Sequence, residues 1–113
     1  MISKRLLAAS YRPLVLSLLE RGEMYGYQII QRVRRLSDDQ IRWTPGRLYP
    51  LLHQMESKGL VRARWDGSES GRERKYYAIT PKGRKALENE RREWLEVHSV
   101  LVNLWSVARP DLA

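Results

Sequence analysis

The sequence lacks cysteine and lacks any apolar run long enough to cross a membrane. Without thiols the chain can form no disulfide framework, no thiolate metal site and no cysteine nucleophile, so nothing indicates an oxidising compartment and we expect a cytoplasmic protein. A spanning helix needs about 18 apolar residues. Tyr11, Arg12 and Pro13 interrupt the basic and apolar N-terminus before it reaches the length of a signal-peptide core, so we predict neither export nor a membrane partner.

Acidic residues are also scarce, since 13 Asp and Glu stand against 21 Lys and Arg, and the formal net charge is +8. This excess favours a polyanionic partner. The 113 residues suffice for one domain with a single core. We find no phosphate-binding glycine loop, no pairing of nucleophile and base, and no carboxylates in converging apolar segments, so we predict a protein that is not an enzyme and needs no cofactor. With only His53 and His98 as histidines, we predict no metal site.

Hydrophobic periodicity predicts three helices before residue 60. Pro13 suits the first turn of a short buried helix that ends near Glu20. A second helix starts around residues 25–27 and has one apolar and one basic face. Residues 41–43 read as a brief extended piece, and Thr44 then caps the third helix.

The third helix carries a start signal and a stop signal. Pro45 follows the Thr44 cap at the first helical position. Gly59 stands where a left-handed residue ends a helix, and Leu60 would then reach back to Met55, as in a Schellman ending. The apolar stripe of this helix comprises Leu48, Leu51, Leu52 and Met55.

After the third helix the apolar period changes from about 3.6 to 2. Residues 61–65 and 72–79 alternate as strands around a polar turn, and Thr80 with Pro81 repeats the capping device before a helix over residues 82–108. The order is that of a winged helix-turn-helix fold, mainly α with a small β-wing, in which the third helix enters the DNA major groove and the wing lies along the backbone. We assign residues 1–80 to this DNA-binding domain and residues 81–113 to a long C-terminal dimerisation helix.

The outward side of the third helix carries no carboxylate. It presents Gly46, Arg47, Pro50, His53, Gln54 and Ser57. Base edges in the major groove offer mostly hydrogen-bond acceptors and phosphates offer only acceptors, so a face of donors suits DNA. Arg47 is the first candidate for a guanine or phosphate contact because it stands in the first turn. The alternative is an ordinary solvated helix face.

The hairpin concentrates positive charge, with eight cations against three acids over residues 62–85. Such a segment would neutralise several phosphates. Cations also protect sheet edges from pairing with other chains, which is the alternative explanation. The alternation leaves open whether Tyr76 or Tyr77 faces the core, because a slip of one residue exchanges them.

Four motifs in fixed order, at residues 24–29, 44–52, 56–61 and 71–83, resemble the PadR family of bacterial transcriptional regulators, in the small subtype with a single C-terminal helix. The resemblance implies a homodimeric winged-helix repressor that binds a palindromic operator, and some family members respond to small, often aromatic, ligands. Together with the acid-free face it gives our predicted DNA-binding residues, Tyr25, Thr44, Arg47, Tyr49, Pro50, His53, Gln54, Arg72, Arg74 and Lys75.

The last helix has a heptad-like apolar seam and would be about 40 Å long, longer than a domain about 30 Å across. A second copy of the chain would cover the overhang. The predicted dimerisation residues are Leu87, Trp94, His98, Leu101, Leu104 and Trp105. Trp94, His98 and Trp105 could instead line a site for a planar aromatic effector, or simply pack. The alternative function is a winged-helix module that senses a ligand or binds a protein without catalysis.

Overall fold

The computed structural model describes residues 1–67 and 73–106. Its elements are α1 (Lys4–Glu20), β1 (Met24–Tyr25), α2 (Gly26–Leu36), α3 (Pro45–Ser57), β2 (Val61–Gly67), β3 (Glu73–Ile79) and α4 (Pro81–Ser106). The three strands form one antiparallel sheet in the order β1-β3-β2. The predicted architecture, mainly helical with a small β-wing formed by β2 and β3, is confirmed.

The first helix begins earlier than the sequence predicted. It starts at Lys4, after the Ser3 N-cap, and Pro13 lies inside the helix instead of in its first turn. A proline in a helix interior removes one backbone hydrogen bond and costs about 3 kcal/mol in an isolated helix. Tertiary packing offsets that cost, because the preceding stretch places three side chains against the core, those of Ile2, Leu7 and Tyr11.

The short strand does not lie at residues 41–43, where the sequence predicted it. The two residues of β1 pair with residues 76–77 of β3 instead. Ile41 and Trp43 are buried in the core without joining a strand. The prediction of a strand there is wrong, because strand pairing depends on a neighbour that is distant in sequence.

The wing pairs in one register, from Val61 opposite Ile79 to Gly67 opposite Glu73. This register turns Tyr77 into the core, where it is fully buried, and places the neighbouring tyrosine on the outer face of the sheet. The choice that the sequence left open is thereby settled by burial on one face of the sheet.

Both ends of α3 follow their local signals. The Thr44 side chain caps the helix and Pro45 follows it as its first residue. Gly59 adopts a φ of 76°, and the Leu60 amide donates a hydrogen bond to the Met55 carbonyl at 2.9 Å. This is the predicted Schellman ending, and it directs the chain into β2.

The start of α4 is fixed against the end of α3. The Thr80 hydroxyl accepts a hydrogen bond from the Gly83 amide at 3.0 Å and donates one to the Gly59 carbonyl at 2.6 Å. Gly83 lies so close to the Leu60 carbonyl oxygen that a Cβ at this position would overlap it. The predicted Thr80 cap is confirmed, and α4 therefore leaves the domain in a defined direction.

Leu87 does not belong to an exposed seam on α4. It is 1% exposed and lies in the core of its own domain, because α4 packs along α1 over its first turns. Two ion pairs join these helices, Arg12 to Glu90 at 3.5 Å and Arg91 to Glu20 at 2.7 Å. From residue 91 to residue 100 every side chain of α4 is exposed.

The molecule measures 66 × 29 × 21 Å, so its long dimension is more than twice the others. The 26 residues of α4 span about 39 Å, which is longer than either of the two short dimensions. The predicted overhang is confirmed. The described part of α4 ends at Ser106, and the predicted end at Ala108 lies outside the described residues.

Candidate nucleic-acid interface

The outward side of α3 is exposed along its length. Arg47, Pro50, His53 and Gln54 are all exposed on it, opposite the buried Leu48, Leu52 and Met55. The sequence prediction of which residues share this side is therefore correct. Glu56 is the one acid in α3, and its carboxylate turns to the Lys75 ammonium at 3.9 Å. The outward side can approach a polyanion without repulsion from its own helix.

Arg47 projects from the first turn of α3 towards α1. Its guanidinium carbon lies 5.3 Å from the centre of the Tyr11 ring. The Tyr11 ring in turn meets the Trp43 ring edge to face, with 5.3 Å between centroids. Neither Tyr11 nor Trp43 was predicted as a site residue, because no local pattern links them to the third helix.

The turn between α2 and α3 is held by Asp39. Its carboxylate forms ion pairs with both Arg34 and Arg42, and their hydrogen bonds hold its pKa below the ordinary value. Asp39 and Asp38 both adopt positive φ, 70° and 56°, which is uncommon for residues other than glycine. These contacts join the last turns of α2 to the segment that precedes α3.

Two predicted tyrosines meet at the start of α2. The Tyr49 hydroxyl end reaches from α3 onto Gly26, where a Cβ would collide with it. Tyr25 precedes α2, and its backbone amide donates to the Gln28 side chain at 3.0 Å. Over the Tyr25 ring lies the Arg74 guanidinium, at 4.6 Å. The structure thus brings Tyr25, Tyr49 and Arg74 to one end of α2.

Arg74 and Lys75 lie on opposite faces of the wing, because successive side chains of a strand alternate. Arg74 stacks on the outer face, whereas Lys75 turns to the inner face and contacts the Tyr77 ring at 5.5 Å and Glu56. Arg74 and Lys75 were both predicted to contact DNA, but they lie on different surfaces of the wing. Arg72, the third predicted wing contact, lies outside the described residues.

Acids from other segments neutralise part of the positive charge of the wing. Glu23, which precedes β1, forms an ion pair with Arg64, and their hydrogen bond lowers the pKa of Glu23 and raises that of Arg64. Arg64 also stacks on Tyr76 at 4.9 Å. A count over residues 62–85 could not include Glu23 or Glu56, so it overstates the charge available to a partner.

The distal half of α4, residues 94–106, exposes large apolar side chains. Trp94 and Trp105 are 41% and 72% exposed, and Leu104 is also exposed. Leu101 is half-buried and His98 is exposed. Near the beginning of this surface, Trp94 lines an apolar groove between α1 and α4 together with Ser10, Pro13, Leu14, Ser17, Leu87, Arg91 and Leu95.

Neither a membrane span nor a cluster of metal ligands occurs within the described ranges 1–67 and 73–106. No helix there is long and apolar enough to cross a bilayer. Histidine and acidic side chains in these ranges do not gather in groups of three or more that could hold a metal ion.

A helix-turn-helix with an acid-free outer side, followed by a cationic two-stranded wing, defines the winged-helix class of proteins. The family model described as the transcriptional regulator PadR-like family matches residues 15–89, two thirds of the chain. The chain belongs to this family of transcriptional regulators.

Relatives with solved structures share the fold over nearly the whole chain. A transcriptional regulator from Clostridium thermocellum superposes with a TM-score of 0.82 and 28% identity, covering 95% of this chain and 100% of that one. A PadR family transcription regulator from Clostridium difficile R20291 gives a TM-score of 0.74 and 33% identity, covering 85% and 97%. The transcriptional regulator Rv3488 of Mycobacterium tuberculosis is 38% identical over 71 residues, which are 63% of each chain.

Proposed function

We propose that this regulator is a sequence-specific repressor that binds double-stranded DNA as a homodimer at a palindromic operator in the cytoplasm. The observation that carries the proposal is the exposed side of α3, which presents donors and no carboxylate. An α-helix fits the major groove, where base edges offer mostly acceptors. The family and the winged-helix fold support this function.

In this proposal α3 reads the bases and the sheet positions the protein on the backbone. Arg47, in the first turn of α3, donates to a guanine edge, and His53 and Gln54 follow along the groove. Arg74 and Tyr25 contact phosphates beside the start of α2, and Arg72 remains a proposed phosphate contact. Thr44 acts indirectly, because its hydroxyl caps α3 by accepting a hydrogen bond from the Arg47 amide at 3.3 Å.

The test is a selection of bound duplexes from random-sequence DNA, followed by titrations of the selected duplex and a scrambled one at several salt concentrations. Sequence-specific binding predicts a selected palindrome that binds at least about 10³-fold more tightly than the scrambled duplex. Both affinities should fall as the salt concentration rises. For each tenfold increase in salt, log K should decrease by roughly 0.9 for every phosphate contacted. Equal affinity for the two duplexes would indicate non-specific binding, and absence of binding would favour the protein-interaction or ligand-sensing module.

The dimer is proposed to form through α4, within residues 81–113, while residues 1–80 bind DNA. The apolar side chains on the distal half of α4 would leave an unusually large patch in water if the chain stayed monomeric. Trp94, His98, Leu101, Leu104 and Trp105 remain the proposed contacts. Leu87 supports the interface indirectly, because it is buried where α4 packs on its own domain and so holds the helix in place.

Release by a small planar aromatic effector is a second part of the proposal. The exposed rings of Trp94 and Trp105, with His98 between them on α4, offer stacking surfaces, and Trp94 also lines the apolar groove along α1. Titration with planar aromatics should quench tryptophan emission with saturation and lower the affinity for the selected duplex. Quenching without an effect on DNA binding would leave these tryptophans as packing residues.

A further inference from the structure

Arg47 is held by an aromatic ring and not by an acid. The Tyr11 ring lies under its guanidinium, with 5.3 Å from the guanidinium carbon to the ring centre. Among residues 1–67 and 73–106, no carboxylate oxygen lies within 4.0 Å of the Arg47 guanidinium. A cation over an aromatic face is attracted by the negative face of the ring.

The ring that holds Arg47 is itself fixed in place. Tyr11 lies on α1, half-buried against the core, and meets Trp43 edge to face at 5.3 Å. Trp43 is 7% exposed and immediately precedes Thr44, the cap of α3. The array Tyr11–Trp43–Arg47 thus joins α1, the α2–α3 connection and the first turn of α3.

A ring serves a DNA-binding arginine better than a carboxylate would. The N–H donors of a guanidinium point outward in its plane, so stacking on a face leaves them available for a bidentate contact. A carboxylate would occupy those same donors and would bring a negative charge towards the phosphates. The outer face of the wing illustrates both situations, since Arg74 stacks on Tyr25 whereas Arg64 stacks on Tyr76 and is also paired with Glu23.

We propose that Tyr11 is a positioning residue for DNA recognition, which holds the Arg47 side chain beside the outward side of α3 and leaves its donors available to the DNA. The inference rests on the proposed function of α3. Its consequence is energetic, because ordering a flexible side chain on binding has an entropic cost. Stacking on Tyr11 meets part of that cost before DNA arrives.

The test is a double-mutant cycle measured with the duplex that the wild-type protein selects from random-sequence DNA. Tyr11→Leu keeps apolar volume on α1 but removes the ring, and Tyr11→Phe is the matched control that keeps the ring and removes only the hydroxyl. Both are made in the wild type and in Arg47→Ala. Thermal melting without DNA establishes that each variant is folded.

We expect Tyr11→Leu to weaken binding roughly two- to ten-fold, the range that corresponds to the ordering cost of one side chain. Tyr11→Phe should bind like the wild type. In the Arg47→Ala background Tyr11→Leu should have no further effect, since a residue that acts only through Arg47 has nothing left to position.

Three results would overturn the inference: an equal loss for Tyr11→Leu in both backgrounds, which means that the ring acts without Arg47; no loss in either; or tighter binding, which means that the ring holds Arg47 away from DNA. If Arg47→Ala weakens binding while Tyr11→Leu does not, the proposed function of α3 stands and only the positioning role falls. If Arg47→Ala binds like the wild type, both the role of Arg47 and its positioning fall together.

Discussion

At the scale of single residues, Tyr77 combines full burial with an unsatisfied hydroxyl. Its ring fills the core beneath α3, and its hydroxyl finds no hydrogen-bond partner within the described part of the chain. Burial raises the pKa of Tyr77 to about 12, and the nearby Glu56 carboxylate acts in the same direction. A buried donor without a partner costs about 1–3 kcal/mol relative to a satisfied one.

We predict that Tyr77→Phe raises the free energy of unfolding by about 1 kcal/mol at neutral pH, because the ring stays and the unpaired hydroxyl goes. Urea denaturation followed by circular dichroism measures it. The Tyr77 hydroxyl ionises near pH 10 in the unfolded state but only near 12 in the folded state. As the pH rises from 10 towards 12, ionisation therefore favours the unfolded state and the free energy of unfolding of the wild type falls. The advantage of Tyr77→Phe should grow over that range. A loss of stability at pH 7 would show that the hydroxyl is bonded.

In the proposed function, Arg47 is the residue on which the reading of bases depends. We predict that Arg47→Ala costs about 1–3 kcal/mol of affinity for the selected duplex and relaxes the preference at one base pair, because one bidentate contact is lost. Competition titrations with single-base variants of the duplex measure both effects. Uniform weakening on every duplex, with a smaller salt slope, would assign Arg47 to a phosphate instead.

At the scale of elements, α3 is defined by its ends. Thr44 with Pro45 starts it, and the left-handed Gly59 stops it. Thr80 begins α4 in the same way and also bonds to the Gly59 carbonyl, so the two ends are one structural unit. The position of the wing relative to α3 therefore depends on Gly59.

Gly59→Ala should lower the free energy of unfolding by about 1 kcal/mol, because an L-residue is strained at this φ. Space is not the cause, since a Cβ there would lie 3.6 Å from the nearest atom, on Lys82. Gly67→Ala, at an open position in β2 with no left-handed φ, is the matched control and should leave stability unchanged or slightly higher. Equal effects of the two substitutions in denaturation experiments would contradict this explanation.

Elements with local signals were predictable, and those that depend on distant neighbours were not. The caps at Thr44 and Thr80 and the helix end at Gly59 each depend on residues no more than four or five positions away, so a short stretch of sequence is enough to predict them. Pro13 inside α1 violates its local preference because the core holds the turns before it. The two-residue strand β1 has no periodicity of its own and exists only because β3 offers it an edge.

At the scale of the whole molecule, the distal half of α4 stands away from the domain. Its exposed apolar surface has no counterpart within its own described chain, since α1 covers only the first turns of the helix. In the proposed dimer a second copy would supply the matching surface, because a two-fold interface is formed by the same patch on both partners.

We predict that Trp105→Glu gives monomers, since two buried charges would face each other across the proposed interface. Sedimentation velocity at micromolar concentration measures the change. Leu36→Glu is the matched control, because Leu36 is 69% exposed, comparable with 72% for Trp105, but it belongs to α2 and borders a groove formed with α1. A Trp105→Glu variant that sediments like the wild type, or a Leu36→Glu variant that dissociates, would contradict an interface on α4.

The sequence by itself determined the caps of α3 and α4, the apolar stripe of α3, the alternation of the wing and the family, because each depends on neighbouring residues or on motifs of fixed order. Only the tertiary structure decided that Leu87 lies in the core, that Glu23 and Glu56 neutralise wing cations, and that Tyr11 stacks on Arg47. The contacts of Glu56, Tyr11 and Glu23 join residues that are 19, 36 and 41 positions apart in the sequence. A local pattern cannot specify which distant side chain will complete such a contact.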